Sequence, residues 1–147
     1  MKQKLVIFAL LALLLTACAS GTDSVATITF PELSERVGDS DDYDISAKAA
    51  ELDGEIVEMV GYMSPLSPID SHFFYMIQVP GAVCPFCDGS DVDFLQVVQV
   101  YAPGGRTVDY ATHAVKVTGV FEVGEQVDED NATSIFRIRA DKIEEHK

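Results

Sequence analysis

The sequence predicts an all-β fold with one short helix, its five strands bent into a small closed barrel. Three observations carry that expectation. Between residues 55 and 143 five runs rich in β-branched and aromatic residues are separated by Pro/Gly or acidic breaks, glycines at 61 and 119 interrupt two of those runs, and only residues 45–52 show helical spacing. The chain has 147 residues and a formal charge of −14, enough for one compact domain and a short tether.

The first residues stand apart from that pattern. Lys2 and Lys4 precede an apolar block at residues 5–15, and Leu15-Thr16-Ala17-Cys18 ends it in small residues before a cysteine. A bilayer takes about 20 apolar residues to cross, so the block reads as a cleaved signal of the lipoprotein kind and not as a membrane span. The alternative is an ordinary secretory signal followed by a chance cysteine. In the lipoprotein reading residues 1–17 are removed and Cys18 carries diacylglycerol on its thiol and an acyl chain on its amine. At about 0.8 kcal/mol per buried CH₂, several chains hold a protein to a membrane almost permanently. Ala19 stands where an aspartate signals inner-membrane retention, which points to the outer membrane, facing the periplasm, in a Gram-negative host. Loss of Lys2 and Lys4 leaves the mature chain more acidic still.

Residues 18–28 are expected to be the lipidated N-terminus and a flexible Ser/Gly/Thr/Asp tether, and residues 29–147 the barrel domain with an N-terminal cap. Ile28, Phe30 and Leu33 form a short apolar group suited to packing on the domain. Residues 38–44 read as an acidic loop, and Ile45, Ala49 and Leu52 share one face of a short helix closed by Asp53-Gly54. The five strands are then expected at 55–64 (EIVEMVGYMS), 72–79 (HFFYMIQV), 92–101 (VDFLQVVQVY), 114–123 (AVKVTGVFEV) and 134–143. Gly61 sits in the first as a bulge or sharp bend. In the fifth, Ile135, Arg137 and Arg139 fall on one parity and Phe136, Ile138 and Ala140 on the other. Residues 124–133 (GEQVDEDNAT) read as an acidic loop joining the last two strands. Five strands with bend-making glycines make an OB-like barrel the economical architecture.

The run Leu52-Asp53-Gly54-Glu55-Ile56-Val57, then Gly61-Tyr62-Met63-Ser64-Pro65-Leu66, Phe73-Phe74-Tyr75-Met76, Gly81-Ala82-Val83-Cys84 and Val115-Lys116-Val117-Thr118-Gly119, resembles an uncharacterised bacterial OB-like domain family of exported proteins and lipoproteins. The resemblance covers residues 52 to about 143. It implies an accessory role beside an exporter or a zinc-acquisition system. Relatives place a cysteine, a histidine and several prolines in the loop where this chain has Cys84-Pro85-Phe86-Cys87.

That pair is the strongest chemical candidate, and three readings stand. As a disulfide it pins a loop; as half of a tetrahedral zinc shell it needs two more donors; as a C-x-x-C dithiol it exchanges disulfides, with Cys84 attacking and Cys87 resolving. Asp88 and Asp91 are the adjacent donors, and His146, Glu125, Asp128, Glu129 and Asp130 are further ones. In an up-and-down order His72 and His113 begin strands at the opposite end, about 23 Å away along a seven-residue strand, where with Asp70 they make a second candidate site. Acidic neighbours raise a thiolate's pKa and weigh against exchange chemistry. Met59, Met63 and Met76 are expected as core filler, not copper ligands. No hydrolase triad, phosphate loop or dinucleotide fingerprint is present, and the strong acidity opposes nucleic acid as a partner. The expectation is a non-enzymatic, membrane-anchored binding or accessory module, with zinc as the cofactor to test.

Overall fold

The computed structural model describes residues 24–80, 94–129 and 131–147. Cys18, Cys84, Cys87, Asp88, Asp91 and Asp130 lie outside them, so the readings placed on those residues stand as sequence expectations. The described residues are mostly β with one short helix. The strands are β1 (Ala26–Thr27), β2 (Ser34–Arg36), β3 (Tyr43–Ile45), β4 (Ile56–Met63), β5 (Phe73–Ile77), β6 (Val98–Tyr101), β7 (Val115–Val127) and β8 (Thr133–Glu145); the helix, α1, is Ala47–Glu51.

Hydrogen bonding orders the main sheet β1-β4-β5-β6-β8-β7, and β7 pairs again with β4. Each strand from β4 to β8 therefore has a neighbour on both sides. Within that ring every pairing is antiparallel except β6 with β8. Alternation along the strands sends Met59, Met76, Val98, Val100, Val117, Phe121, Phe136 and Ile138 into one common core, all but fully removed from solvent. Phe121 and Phe136 stack there with centroids 5.9 Å apart. Met59, Met63 and Met76 are buried as expected of core filler.

The N-terminal cap forms from the apolar group singled out in the sequence. Ile28, Phe30 and Leu33 are buried against the ring. Ala26 and Thr27, at the end of the expected tether, pair in parallel with Val57 and Glu58 of β4. Glu32 fixes the 3-10 turn Phe30–Glu32: its carboxylate accepts from the Thr29 backbone N–H (2.9 Å), the Thr29 hydroxyl (2.7 Å) and Lys48 Nζ (2.6 Å). The Lys48 ammonium, with the Thr29 hydroxyl next in weight, holds the Glu32 carboxyl down at about 2. Ser46 caps α1, its Oγ accepting from Ala49 N–H at 3.0 Å, and donates to the Glu32 carbonyl.

Four elements depart from expectation. The acidic loop 38–44 is the turn of a hairpin, β2 against β3, and not a free loop. The third strand is shorter than expected: Phe94–Gln96 forms a 3-10 turn on β8, and only Val98–Tyr101 pairs. Apolar side chains at 94 and 95 thus mark packing and not extension. β7 and β8 run further than expected, because the polar stretch from Gly124 continues the hairpin through a bulge between Val123 and Gln126. Gly61 is no bulge; a Cβ there would lie 2.7 Å from Met76 Cγ and 2.9 Å from the Ile77 carbonyl, so it permits a close approach of β4 and β5. Gly119 does sit at a bulge, between Thr118 and Gly119 in the β7/β8 register.

Candidate functional site

If Val98 and Val100 of β6 enter the core, Gln99 and Tyr101 must face outward. The same parity turns Phe73 and Tyr75, Arg137 and Arg139, and Val120 and Glu122 to that outer face. Register then aligns them in two rows across four strands. Tyr75, Gln99, Arg137 and Glu122 are successive partners in one row, and Phe73, Tyr101, Arg139 and Val120 in the next.

The first row is polar, and its two central members are buried. Gln99 is fully buried and Arg137 is 5% exposed. Arg137 Nε reaches Glu122 Oε2 at 3.1 Å, and its Nη1 donates to the Gly124 carbonyl at 2.7 Å, where the β7 bulge has interrupted the ladder. Glu122 also holds Arg139, at 3.3 Å. One carboxylate thereby fixes two guanidinium groups on adjacent levels of the sheet.

The second row is a stack. Arg139 Cζ lies 4.0 Å from the Tyr101 ring centroid, and His72 packs 5.7 Å away at an interplanar angle of 32°. Phe73 packs edge-on against His72 and Tyr75. Asp128, from the turn joining β7 to β8, folds over both rows. Its Oδ2 accepts from Tyr101 Oη (2.8 Å) and Gln99 Nε2 (3.0 Å), and its Oδ1 accepts from the Ala132 N–H (2.9 Å). Burial, reinforced by the hydrogen bond to the Asp128 carboxylate, pushes the Tyr101 phenol far above its ordinary range; burial and the same charge also raise Tyr75. Both phenols are therefore neutral hydrogen-bonding groups at physiological pH.

Around the stack adjoining depressions hollow the surface into a trough. Four depressions, the largest of about 540 Å³, share walls in sequence. The first, between residues 68–75 and Asn131, meets the second at His72; the second and third share His72, Tyr101 and Arg139; the third and fourth share Ala102 and Asp141. Asp70 and Asn131 face this first depression from its two sides with positive φ, 56° and 60°, a conformation both residue types tolerate.

Of the histidines expected as donors, His72 lies at the centre of the trough, while His113 is exposed just before the start of β7. With Asp70 they do not form the second site: among the described residues no group of three or more His, Cys, Asp or Glu is placed to hold a metal ion. The His146 N–H bonds to the Ala114 carbonyl at 2.8 Å, which ties the tail beside the start of β7. Arg137, Arg139, Gln99 and Tyr101 were not singled out by sequence. Their signal is the alternation Gln-x-Tyr and Arg-x-Arg opposite apolar residues, and it becomes a site only through the parallel β6/β8 register.

No protein-family model and no curated protein matches the chain. A solved structure does: the crystal structure of a DUF3299 family protein from Pseudomonas aeruginosa PAO1 superposes with a TM-score of 0.58, covering 84% of this chain and 97% of that one at 19% identity. The two share a fold. The similarity to a bacterial domain of unknown function agrees with the uncharacterised bacterial family expected from sequence.

Proposed function

We propose that this chain is a lipid-anchored binding module, in which an OB-like barrel presents the trough to its ligand. The closed order β4-β5-β6-β8-β7 with one parallel pair supports the barrel assignment. The observation that carries the binding reading is the location of the trough. It lies over β5 and β6, the second and third strands of the ring, between the connection at 64–72 and the turn at 128–132. OB barrels take ligands on that face, between those two loops. A charge of −14 separates this module from the nucleic-acid binders among them.

Anchoring rests on Leu15-Thr16-Ala17-Cys18 and sets the compartment, the periplasm or the cell exterior. Service to an exporter or a zinc-uptake system is the setting that the family resemblance suggests. Two measurements test the reading. Cys18→Ser shifts the protein from the membrane pellet to the soluble fraction. Titration with a basic peptide, an acidic peptide and a neutral oligosaccharide, followed by NMR at Tyr101 and Arg139, shows at least one class binding in the trough; if no class moves those signals, the binding reading fails.

The spacing Cys84-Pro85-Phe86-Cys87 supports a second reading, a thiol-disulfide lipoprotein. Cys84 thiolate attacks a substrate disulfide, and Cys87 displaces the substrate, leaving it reduced and the pair oxidised. Mixed disulfides trapped in Cys87→Ser support this. Stoichiometric zinc lost in Cys84→Ser supports a metal role for the pair instead, and a stable disulfide without metal leaves it structural.

A further inference from the structure

We propose that the trough is a docking groove for an extended, basic segment of a partner polypeptide, an inference that rests on the binding-module reading above. Its charges point that way. Asp70, Asp109, Glu129 and Asp141 line it, and none has an ion-pair or hydrogen-bond partner among the described residues. The cations that line it are already engaged: Arg139 by Glu122, Lys142 by Glu144 at 2.8 Å, and Arg106 by the Pro103 carbonyl at 3.2 Å. The groove therefore offers acceptors and a negative potential, in a chain whose overall charge draws cations toward it.

A second observation is independent of those carboxylates. Gln99 lies on the outer face behind Asp128, fully buried, with its Nε2 on Asp128 and its Oε1 without a hydrogen-bond partner among the described residues. An unpaired buried acceptor costs about 1–3 kcal/mol, and a donor from the trough reaches this one where the Asp128 turn moves aside, because Gln99 lies beneath the walls of the depressions and not in them. Lysine and arginine are donors only, with no acceptor atoms of their own. Apolar complement comes from the rim, where Ile69 is 92% exposed beside His72 and Tyr75. Long basic side chains suit such a surface, because their stems pack on apolar atoms and rings while their heads reach carboxylates.

The shape favours a chain over a compact cation. Carboxylates without partners are distributed from Asp70 in the first depression to Asp109 and Asp141 in the last, with the His72–Tyr101–Arg139 stack between them. A single small cation meets one of these regions. An extended segment meets them all. Anionic lipid surfaces and nucleic acids are repelled by the same charges.

The test uses the full chain in detergent and a fluorescent ten-residue peptide alternating Lys and Val, with its Glu-for-Lys counterpart and a neutral hexasaccharide as comparison probes. The lysine peptide binds and the glutamate peptide does not. Its affinity falls about tenfold in the double variant Asp70→Asn/Asp141→Asn, whose two sites are exposed and whose Asn at 70 keeps the positive φ acceptable. Asp44→Asn, in exposed β3 away from the trough, leaves affinity within twofold. Equal weakening by Asp44→Asn would show attraction to overall acidity and overturn the proposal, as would glutamate-peptide binding or an unaffected double variant. Hexasaccharide binding at Tyr101 and Arg139 without lysine-peptide binding overturns the basic-segment inference and leaves the binding module standing. Silence from every probe there removes both.

Discussion

Arg137 is the residue on which the outer face depends, and its removal tests the construction of the site. The side chain is 6% exposed and is held by Glu122 Oε2 at 3.1 Å and the Gly124 carbonyl at 2.7 Å. Truncating one partner of a fully buried, hydrogen-bonded ion pair costs about 3–5 kcal/mol. Glu122 is 31% exposed and retains Arg139 at 3.3 Å, so it is not stranded, and the lower part of that range applies. The Gly124 carbonyl, left without its donor at the bulge, is counted within that cost, its part set by how well water replaces the guanidinium. Arg137→Ala is therefore expected to destabilise by about 3–4 kcal/mol, a fall in melting temperature of roughly 10–15 °C for a domain of this size.

Two further variants separate the contributions. Arg137→Lys keeps the charge but lacks the planar fork that reaches both partners, and is expected to cost about 1–2 kcal/mol. Arg137→Met keeps the stem and loses every donor, and falls between Lys and Ala. Urea unfolding followed by far-UV circular dichroism at constant m-value reads all three. In a double-mutant cycle with Glu122→Gln the coupling is expected at about 1–3 kcal/mol. A cost for Arg137→Ala below about 0.5 kcal/mol, the level of an ordinary surface substitution, would refute the reasoning. The functional consequence is local: Glu122 also steers Arg139 over Tyr101, so its loss loosens the stack at the centre of the trough.

Local pattern made the β class legible, because strand cores such as Val115–Val127 alternate buried and solvent-facing residues as the pleat demands. It failed where pairing owes little to burial. β2 and β3 carry Ser, Glu, Arg, Tyr and Asp with little apolar period, and their hairpin is set by backbone bonds and by docking through Ser46 N–H to the Leu33 carbonyl at 3.0 Å. The extension of β7 past Gly124 was hidden for a related reason: beyond the core a hairpin strand needs no apolar face, and Arg137 supplies the bond that the bulge removes. The site was less legible than the fold. His72 drew attention as a metal donor, yet it also packs on the rings of Phe73 and Tyr101, which come from β5 and β6 by register. A row such as Tyr75–Gln99–Arg137–Glu122 joins residues up to 62 positions apart, and no single-strand period contains it. Arginine in a strand is ordinarily read as exposed, so the burial of Arg137 could be inferred only once Glu122, Gly124 and the Asp128 turn were in place.

Gly119→Ala would drive a Cβ into the Arg139 carbonyl oxygen, a contact with backbone that no rotamer change relieves, and is expected to destabilise by about 1–3 kcal/mol or more, read as a lower urea midpoint. Ser46→Ala removes the α1 cap and the donor to the Glu32 carbonyl, and is expected to cost about 1–2 kcal/mol by the same measurement. The last expectation concerns acid. Glu32 is held at about 2 in the folded chain, below its ordinary 4.5, by Lys48 and then Thr29. A depressed carboxyl contributes stability that is fully present above the unfolded value near 4.5 and is lost as pH falls through about 2. The pair is more than a third exposed, so solvent screens it and the contribution is about 1 kcal/mol, well under the full shift. Glu32→Gln is therefore expected to lower stability at pH 7 and to flatten the decline between pH 5 and 2, while Lys48→Met does so by the ion-pair share alone. Parallel stability curves for wild type and Glu32→Gln across that window would show that the carboxylate is not held by these contacts, and with it that the cap is fastened by burial of Ile28, Phe30 and Leu33 and by backbone pairing without the ion pair.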